Sequence, residues 1–333
     1  MKKTVNLIYK AALNRTTGLE QDAEIIQQLL QSSAYKVNHY KITERRIFKK
    51  LGIPQSLTSK IKTYLKTRGS KFGINIFLEK IRPEFLGYAE KNILIPNHEM
   101  FSTNNVHLLE FIDCVLCKTK YAQKIFSNLG CNSKFISFSS KDNLNTKIRK
   151  NYNHFLHLAG KSSYRRGTNQ ILDLWKNNFE FPKLTVIARQ VNKSDYKNCH
   201  NIEILDEYVT DEVVLDLQNR CGVHLCLSEA EGFGHFIVEG LSCGASIVTT
   251  NGKPMNELVQ SDRGYLVECS KIQRKERNLH DTFYFDPLDL KKKVFQVIED
   301  TQQEKNKKST AARKWFEDNN KFFQENFISM MLL

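Results

Sequence analysis

Two glutamates stand eight positions apart, Glu231 and Glu239, within VHLCLSEAEGFGHFIVEGLSCGASIVTTNGKPMNE, Val223–Glu257. A carboxylate accepts two hydrogen bonds from vicinal hydroxyls, so one of them can hold a sugar ring and the other a ribose. Gly232, Phe233 and Gly234 lie between them. Glycine lets a backbone approach a ligand closely. The helix that starts there offers unpaired N–H groups and positive dipole charge, which suits a diphosphate. Together these residues suit a ligand that carries a sugar, a diphosphate and a ribose.

The elements that must present these residues can be read around them. VHLCL is a buried-strand pattern, SEAEGFG the loop at its carboxyl end, Gly234–Ser242 a helix ended by Gly244, and SIVTT the next strand. Ligands of open α/β sheets bind at that carboxyl end. A solvated acidic loop on an ordinary α/β domain is the plain alternative. It leaves unexplained why carboxylates and glycines gather there. The same alternation runs along the chain. Strands are expected at Thr4–Tyr9, Tyr35–Ile42, Asn92–Ile95, Asp113–Leu116 and Lys134–Phe138, with helices over Leu19–Gln31 and Lys120–Asn128. After a polar stretch, Ser139–Tyr152, strands are expected at His154–Ala159, Leu184–Ala188, Ile202–Leu205, Val223–Leu227 and Ser246–Thr249. Helices are expected at Thr168–Lys176 and Asp211–Asn219, and again from about Leu288. This pattern predicts α/β domains with parallel sheets covered on both faces.

The Glu231-x7-Glu239 stretch in its S-E-A-E-G-F-G context resembles the signature of the retaining glycosyltransferase family four (glycosyl transferases group 1). The resemblance implies the GT-B fold: two Rossmann-like domains facing a central cleft, with a C-terminal helix crossing back to the N-domain. It implies that Glu231 contacts the transferred sugar, that Glu239 contacts the nucleotide ribose, and that the Gly232–Phe233–Gly234 backbone meets sugar and phosphates. HFLHLAGKSSYRRGTNQILDLW resembles the family's G-R-x4-K-G element. By position its diphosphate-clamping cations are Lys161 and Arg166, followed by Gly167, with Arg165 as a neighbouring choice. Lysine in the first place keeps the charge and loses the bidentate fork. By the same resemblance Gly18 closes a loop facing the donor phosphates and acceptor, and His98, in IPNHEM, lies near the sugar, with Glu99 as the alternative. Asn256 and Glu257 end the third loop of the C-domain, and Arg189 and Tyr208 lie on the base side.

Other chemistries lose ground on spacing. Gly160-Lys161-Ser162 would need a glycine where Phe155 stands to be a P-loop. Ile237 occupies the third glycine place of a dinucleotide fingerprint. No D-x-D is present, so no metal or other cofactor is expected, only a UDP- or GDP-linked sugar as co-substrate. Eight cysteines are scattered; Cys114-x-x-Cys117 lacks a second pair at zinc spacing, and reduced thiols in a cytoplasmic protein are expected. The 333 residues suit two domains, expected at 1–150 (acceptor) and 151–310 (donor), with a returning helix over 311–333. No apolar run is long enough to span a membrane.

The net charge of +14 attracts anions. It is concentrated in residues 41–71, where Ile47, Phe48, Leu51, Ile61, Tyr64 and Leu65 interleave with Lys and Arg. That pattern fits peripheral attachment to an anionic membrane face, before the phosphate backbone of a nucleic acid; a solvated helix pair is the bland alternative. The expected activity is retaining transfer of a hexosyl group to a glycan, lipid or other acceptor. The alternatives are a nucleic-acid-modifying transferase and a non-catalytic binding module on the same fold.

Overall fold

The computed structural model describes residues 3–10, 18–33, 35–42, 72–160, 163–189 and 191–332. The tract expected to carry most of the basic charge, and Lys161, lie outside the described residues except for Lys41 and Ile42. Two compact units emerge: Met1–Phe138 with Glu276–Leu279 and Phe322–Leu333, and Ser139–Lys275 with His280–Lys321. The division therefore falls before 150. The polar stretch expected to be a linker is bonded into the second unit: Asn143 Nδ2 donates to Gln218 Oε1 at 2.8 Å, and Asn145 N–H to Asn219 Oδ1 at 2.8 Å. The last helix, Gln302–Leu332, is one 31-residue element shared by both units and divided at Lys321/Phe322 rather than at 310.

In the first unit, strands β1 (Thr4–Lys10), β2 (Lys36–Ile42), β3 (Phe72–Leu78), β4 (Ala89–Ile95), β5 (Cys114–Cys117) and β6 (Ser133–Phe135) form a parallel sheet in the order β2-β1-β3-β4-β5-β6. The helices Gly18–Ser32 and Lys120–Asn128 cover it, the second capped by the Thr119 hydroxyl on Ala122 N–H. Phe77, Phe101 and Phe126 are fully buried in its core. Four asparagines cross the sheet in register. Asn38 Nδ2 donates to Asn6 Oδ1 (3.1 Å), Asn6 Nδ2 to Asn75 Oδ1 (2.9 Å), and Asn75 Nδ2 to Asn92 Oδ1 (3.0 Å). A one-residue slip would leave these buried amides unsatisfied, at about 1–3 kcal/mol each, so the ladder holds the register of β2, β1, β3 and β4. Beyond the carboxyl ends of the strands, Lys118 forms a fully buried ion pair with Asp22 and donates to Asn97 Oδ1 at 3.0 Å. It ties the loops after β4 and β5 to the first helix.

In the second unit, strands β7 (Asn151–Gly160), β8 (Lys183–Ala188), β9 (Ile202–Leu205), β10 (Cys221–Cys226), β11 (Ser246–Thr250) and β12 (Gly264–Val267) are also parallel, in the order β12-β11-β10-β7-β8-β9. Every residue of β10 and β11 is buried, as expected of strands covered on both faces. Helix Thr168–Lys176 places Ile171, Leu172 and Trp175 in the main core with Phe155, Leu184, Val223 and Leu225 of the strands. The chain runs outward through β7, β8 and β9, then returns to pair β10 against β7. The sheet therefore changes winding direction between β7 and β10, and a crevice opens at the carboxyl ends of those two strands. A hairpin of β13 (Cys269–Arg274) and β14 (Asp281–Phe285) follows.

Candidate active site

Both strands at this switch point are built alike. Each runs into a loop, and each loop ends in a glycine with left-handed backbone directly before a helix. Gly167 (φ 62°) precedes Thr168–Lys176, and Gly234 (φ 104°) precedes His235–Ser242. A side chain at Gly167 would also place its Cβ 2.3 Å from the Phe285 ring. Glycine is the residue that takes such backbone without strain. Two helix N-termini are thus aimed at one crevice.

Arg166 lies at the end of the first loop. Its guanidinium donates through Nη1 to the Leu158 carbonyl and stacks 4.0 Å from the centre of the Phe236 ring. Both contacts leave further N–H groups of the fork for an anion. Glu231 lies half-buried in the second loop, and Ser228, itself buried, donates through Oγ to Glu231 Oε1 at 2.6 Å. Glu239 lies in the helix, and Gln218 Nε2 approaches its Oε2 at 3.4 Å. The Cys226 thiol at the end of β10 feels all three charges. Burial chiefly pushes it up, Arg166 pulls it down, and Glu231 and Glu239 push it up further. Gly232, Phe233 and Gly234 are buried between the carboxylates.

The loops are held by contacts that no motif announces. Glu229 N–H donates to the Arg165 carbonyl at 3.0 Å, and the Glu229 carbonyl accepts from Phe283 N–H at 2.8 Å, which joins both switch-point loops to β14. Burial raises the Glu229 carboxyl, with Arg165 and Lys275 opposing. Ser140 Oγ lies 2.7 Å from His235 Nδ1, so the stretch before β7 touches the first residue of the helix after Gly234. Ser228 could have been suspected from its place in S-E-A-E; Ser140 had no local signal.

Beneath the crevice, His157 is fully buried, with Nδ1 2.9 Å from the Leu225 carbonyl and Nε2 2.9 Å from Thr168 Oγ1. A carbonyl can only accept, so Nδ1 carries the proton and Nε2 accepts from Thr168. Burial lowers His157 to about 4, helped by Arg166, and lowers His224 to about 3 and His280 to about 4. Unfolded histidines take up protons near 6.5. The stability these neutral rings confer is complete above pH 6.5 and is lost as pH falls from there to about 4. Denaturant unfolding should show uptake of about three protons per chain near pH 5. A pH-independent unfolding midpoint between pH 7 and 5 would contradict it.

Arg189 follows β8; its N–H donates to the Gly160 carbonyl at 2.9 Å and its carbonyl lies 3.5 Å from Ser163 Oγ, so it adjoins the Arg166 loop. Tyr208 is exposed (77%) on the segment after β9. Asn256 Nδ2 donates to Asn251 Oδ1 at 3.0 Å, and Glu257 approaches Lys253 at 3.9 Å. Gly18 opens the first unit's helix and is exposed. His98 is buried (1% exposed) in the first unit, edge-on to Tyr121 at 5.1 Å. Among the described residues no group of three or more His, Cys, Asp or Glu could hold a metal ion, and no helix is long and apolar enough to cross a membrane.

Residues 190–315 match the family model of glycosyl transferases group 1. An uncharacterized glycosyltransferase of Methanocaldococcus jannaschii is 24% identical over 225 residues, a match covering 62% of this chain and 57% of the relative's length. HepE of Anabaena, in complex with UDP and glucose, superposes with a TM-score of 0.68 at 15% identity over the whole of both chains. A glycosyltransferase of Rickettsia africae gives 0.70 at 13% identity, over 99% of this chain and 97% of that one. Sucrose-phosphate synthase of Thermosynechococcus elongatus gives 0.69 at 11% identity, over 99% and 98%. The family model thus falls on the unit whose switch point gathers Arg166, Glu231 and Glu239, and the chain shares the GT-B fold of these structures.

Proposed function

We propose that the protein is a retaining glycosyltransferase that moves a sugar from a UDP- or GDP-linked donor to a hydroxyl of a glycan or lipid acceptor. The observation that carries this reading is the gathering of one guanidinium, two carboxylates and two helix N-termini at the switch point of the second sheet. HepE, similar in fold, is described with UDP-glucose bound, which supports a donor of that class.

In this reading the diphosphate lies against the N-terminus of helix His235–Ser242, with Arg166 and Lys161 as its cations. Glu239 accepts the ribose hydroxyls and Glu231 those of the transferred sugar. The bond from the anomeric carbon to the diphosphate oxygen breaks with both electrons leaving on that oxygen. The acceptor hydroxyl attacks from the same face, and its proton passes to the departing diphosphate. Configuration is thereby retained without a covalent enzyme intermediate. The chain's own cations supply the counter-charge, so the proposal requires no metal.

A thermal-shift screen of nucleotide sugars, without added metal, tests the donor reading. The true donor at 100 times its Kd should stabilise the wild type by about 2.7 kcal/mol and leave Glu239→Ala unmoved. Equal shifts in both proteins would remove Glu239 from the site, and binding without turnover toward any acceptor would favour a binding module.

We assign residues 41–71 to an anionic membrane surface that carries the acceptor, on the charge and apolar interleaving of that tract. Co-sedimentation with phosphatidylserine liposomes should be lost when its Lys and Arg are changed to Ala. Retained sedimentation, or tighter salt-sensitive binding to nucleic acid, would overturn this assignment.

A further inference from the structure

The amino-terminal edge of the second sheet carries a cavity that the donor reading does not use. It has a volume of about 480 Å³ and is lined by Arg149, Lys150, Asn151, Tyr152, Asn153, Gln302 and Lys305. The lining side chains are three cations, three amides and a phenol, with no carboxylate. Strand β7 begins here at Asn151 and ends at Gly160 beside the Arg166 loop. Ten extended residues put the two places roughly 30 Å apart.

Among the described residues no ion pair neutralises the cations. Lys305 is 7% exposed, and its Nζ donates to the Ile298 carbonyl at 3.1 Å. Lys150 is half-buried, and its Nζ donates to the Asn219 carbonyl at 3.1 Å. Among the described residues neither of these nor Arg149 forms an ion pair. The Glu304 carboxylate, one residue from Lys305, accepts from Thr301 N–H at 2.7 Å and its hydroxyl at 2.8 Å, and acts on Lys305 and Lys308 through space without forming an ion pair with Lys305. Burial lowers the Lys150 ammonium, as expected of a charge withdrawn from water without a counter-ion. Lys118 in the first unit shows the contrasting solution, a buried ammonium paired with its own carboxylate, Asp22. Charges taken out of water are ordinarily paired. A roomy cavity lined by amide donors and by cations without ion pairs leaves the pairing to a ligand.

We propose that this cavity is a second binding site, for a small phosphate-bearing anion, with Lys150 and Lys305 as its fixed cations and Arg149 closing on the anion from the surface. The volume exceeds that of one phosphate and lies in the range of small-ligand pockets, so a phosphorylated sugar and free phosphate groups share the required chemistry. The site stands independently of the sugar-transfer reading.

Isothermal titration with inorganic pyrophosphate at fixed ionic strength tests it, in an Arg166→Ala background that weakens the switch-point site. One site should remain. Lys150→Met in that background should weaken pyrophosphate at least tenfold, and the exposed Arg149→Ala a few-fold without touching the fold. Lys150→Met should also leave the Tm without pyrophosphate nearly unchanged, because the lost bond to the Asn219 carbonyl is offset by removal of a half-buried charge that has no ion-pair partner. A merely structural lysine would lower it. No binding to the Arg166→Ala protein at low-millimolar pyrophosphate, or binding unchanged by both further variants, would overturn the proposal. Glucose 1-phosphate and inorganic phosphate, titrated in the same way, separate the two sources: tighter binding of the sugar phosphate assigns the site to a phosphorylated sugar, equal binding to phosphate groups alone.

Discussion

Replacing Glu231 by Gln is expected to lower kcat by about 100- to 1,000-fold while changing the donor Kd less than tenfold. The reason is a difference between ground state and transition state. Gln has the shape of Glu, and its carbonyl oxygen can still accept from Ser228 Oγ, which now lies 2.6 Å from Glu231 Oε1. Sugar hydroxyls can still be bonded, so the donor still binds. The loss falls on charge. As the diphosphate departs, positive charge grows on the sugar, and a half-buried carboxylate held in place by Ser228 stabilises it at no further reorganisation cost. An amide does not. The measurement is steady-state kinetics with the donor found by thermal shift, together with donor titration of the variant. Near-wild-type kcat would remove Glu231 from contact with the reacting sugar. A large rise in Kd with unchanged kcat would make it a binding group only.

Arg166→Lys is expected to lower kcat/KM by at least about 100-fold, although the formal charge is unchanged. Arg166 donates to the Leu158 carbonyl and stacks on Phe236 at once, and in the proposed reading the rest of its fork serves the diphosphate. A lysine ammonium has three donors on a flexible stem and no plane to stack. It can satisfy the carbonyl or reach a phosphate, and the rigid placement between the two is lost. Arg165→Lys, one residue earlier, is the control. It is joined to the second loop through its backbone carbonyl, which accepts from Glu229 N–H, and that bond survives the substitution. A substantially smaller loss at Arg165 than at Arg166 is expected, and the reverse order would move the clamping cation by one residue.

Most strands and helices of the second unit were legible because each carries its own local signal, while its β12 and its hairpin of β13 and β14 were not anticipated. Thr168–Lys176 and Ile202–Leu205 have the bounds their patterns predict. β11, with Ser246–Thr250, exceeds its pattern by one residue. The first unit was read less completely. β3 was not anticipated because its FGINIFL run follows directly on the basic tract and carries Asn75 at its centre. The hairpin of β13 and β14 was missed because CSKIQR is polar and mostly exposed. A strand with little to bury shows no alternation to read.

By itself the sequence determined the alternation of elements and the Glu231-x7-Glu239 stretch with its glycines, and thereby the resemblance to a family, since all of these lie within about 35 contiguous residues or recur at a fixed local period. Only the tertiary structure decided what the isolated residues do. Asn6 lies within the expected strand Thr4–Tyr9 and is a rung of an amide ladder whose other members stand 32, 69 and 86 positions away. His98 stands in an ordinary polar loop motif, IPNHEM, and is enclosed beside Tyr121. Lys150 stands in the polar stretch Ser139–Tyr152 and lies against Asn219 without an ion-pair partner among the described residues. The physical reason is common to all three. Spacing along the chain reports which face of an element a residue occupies, whereas burial and the partner of a polar group are fixed by segments distant in sequence that only folding brings to it.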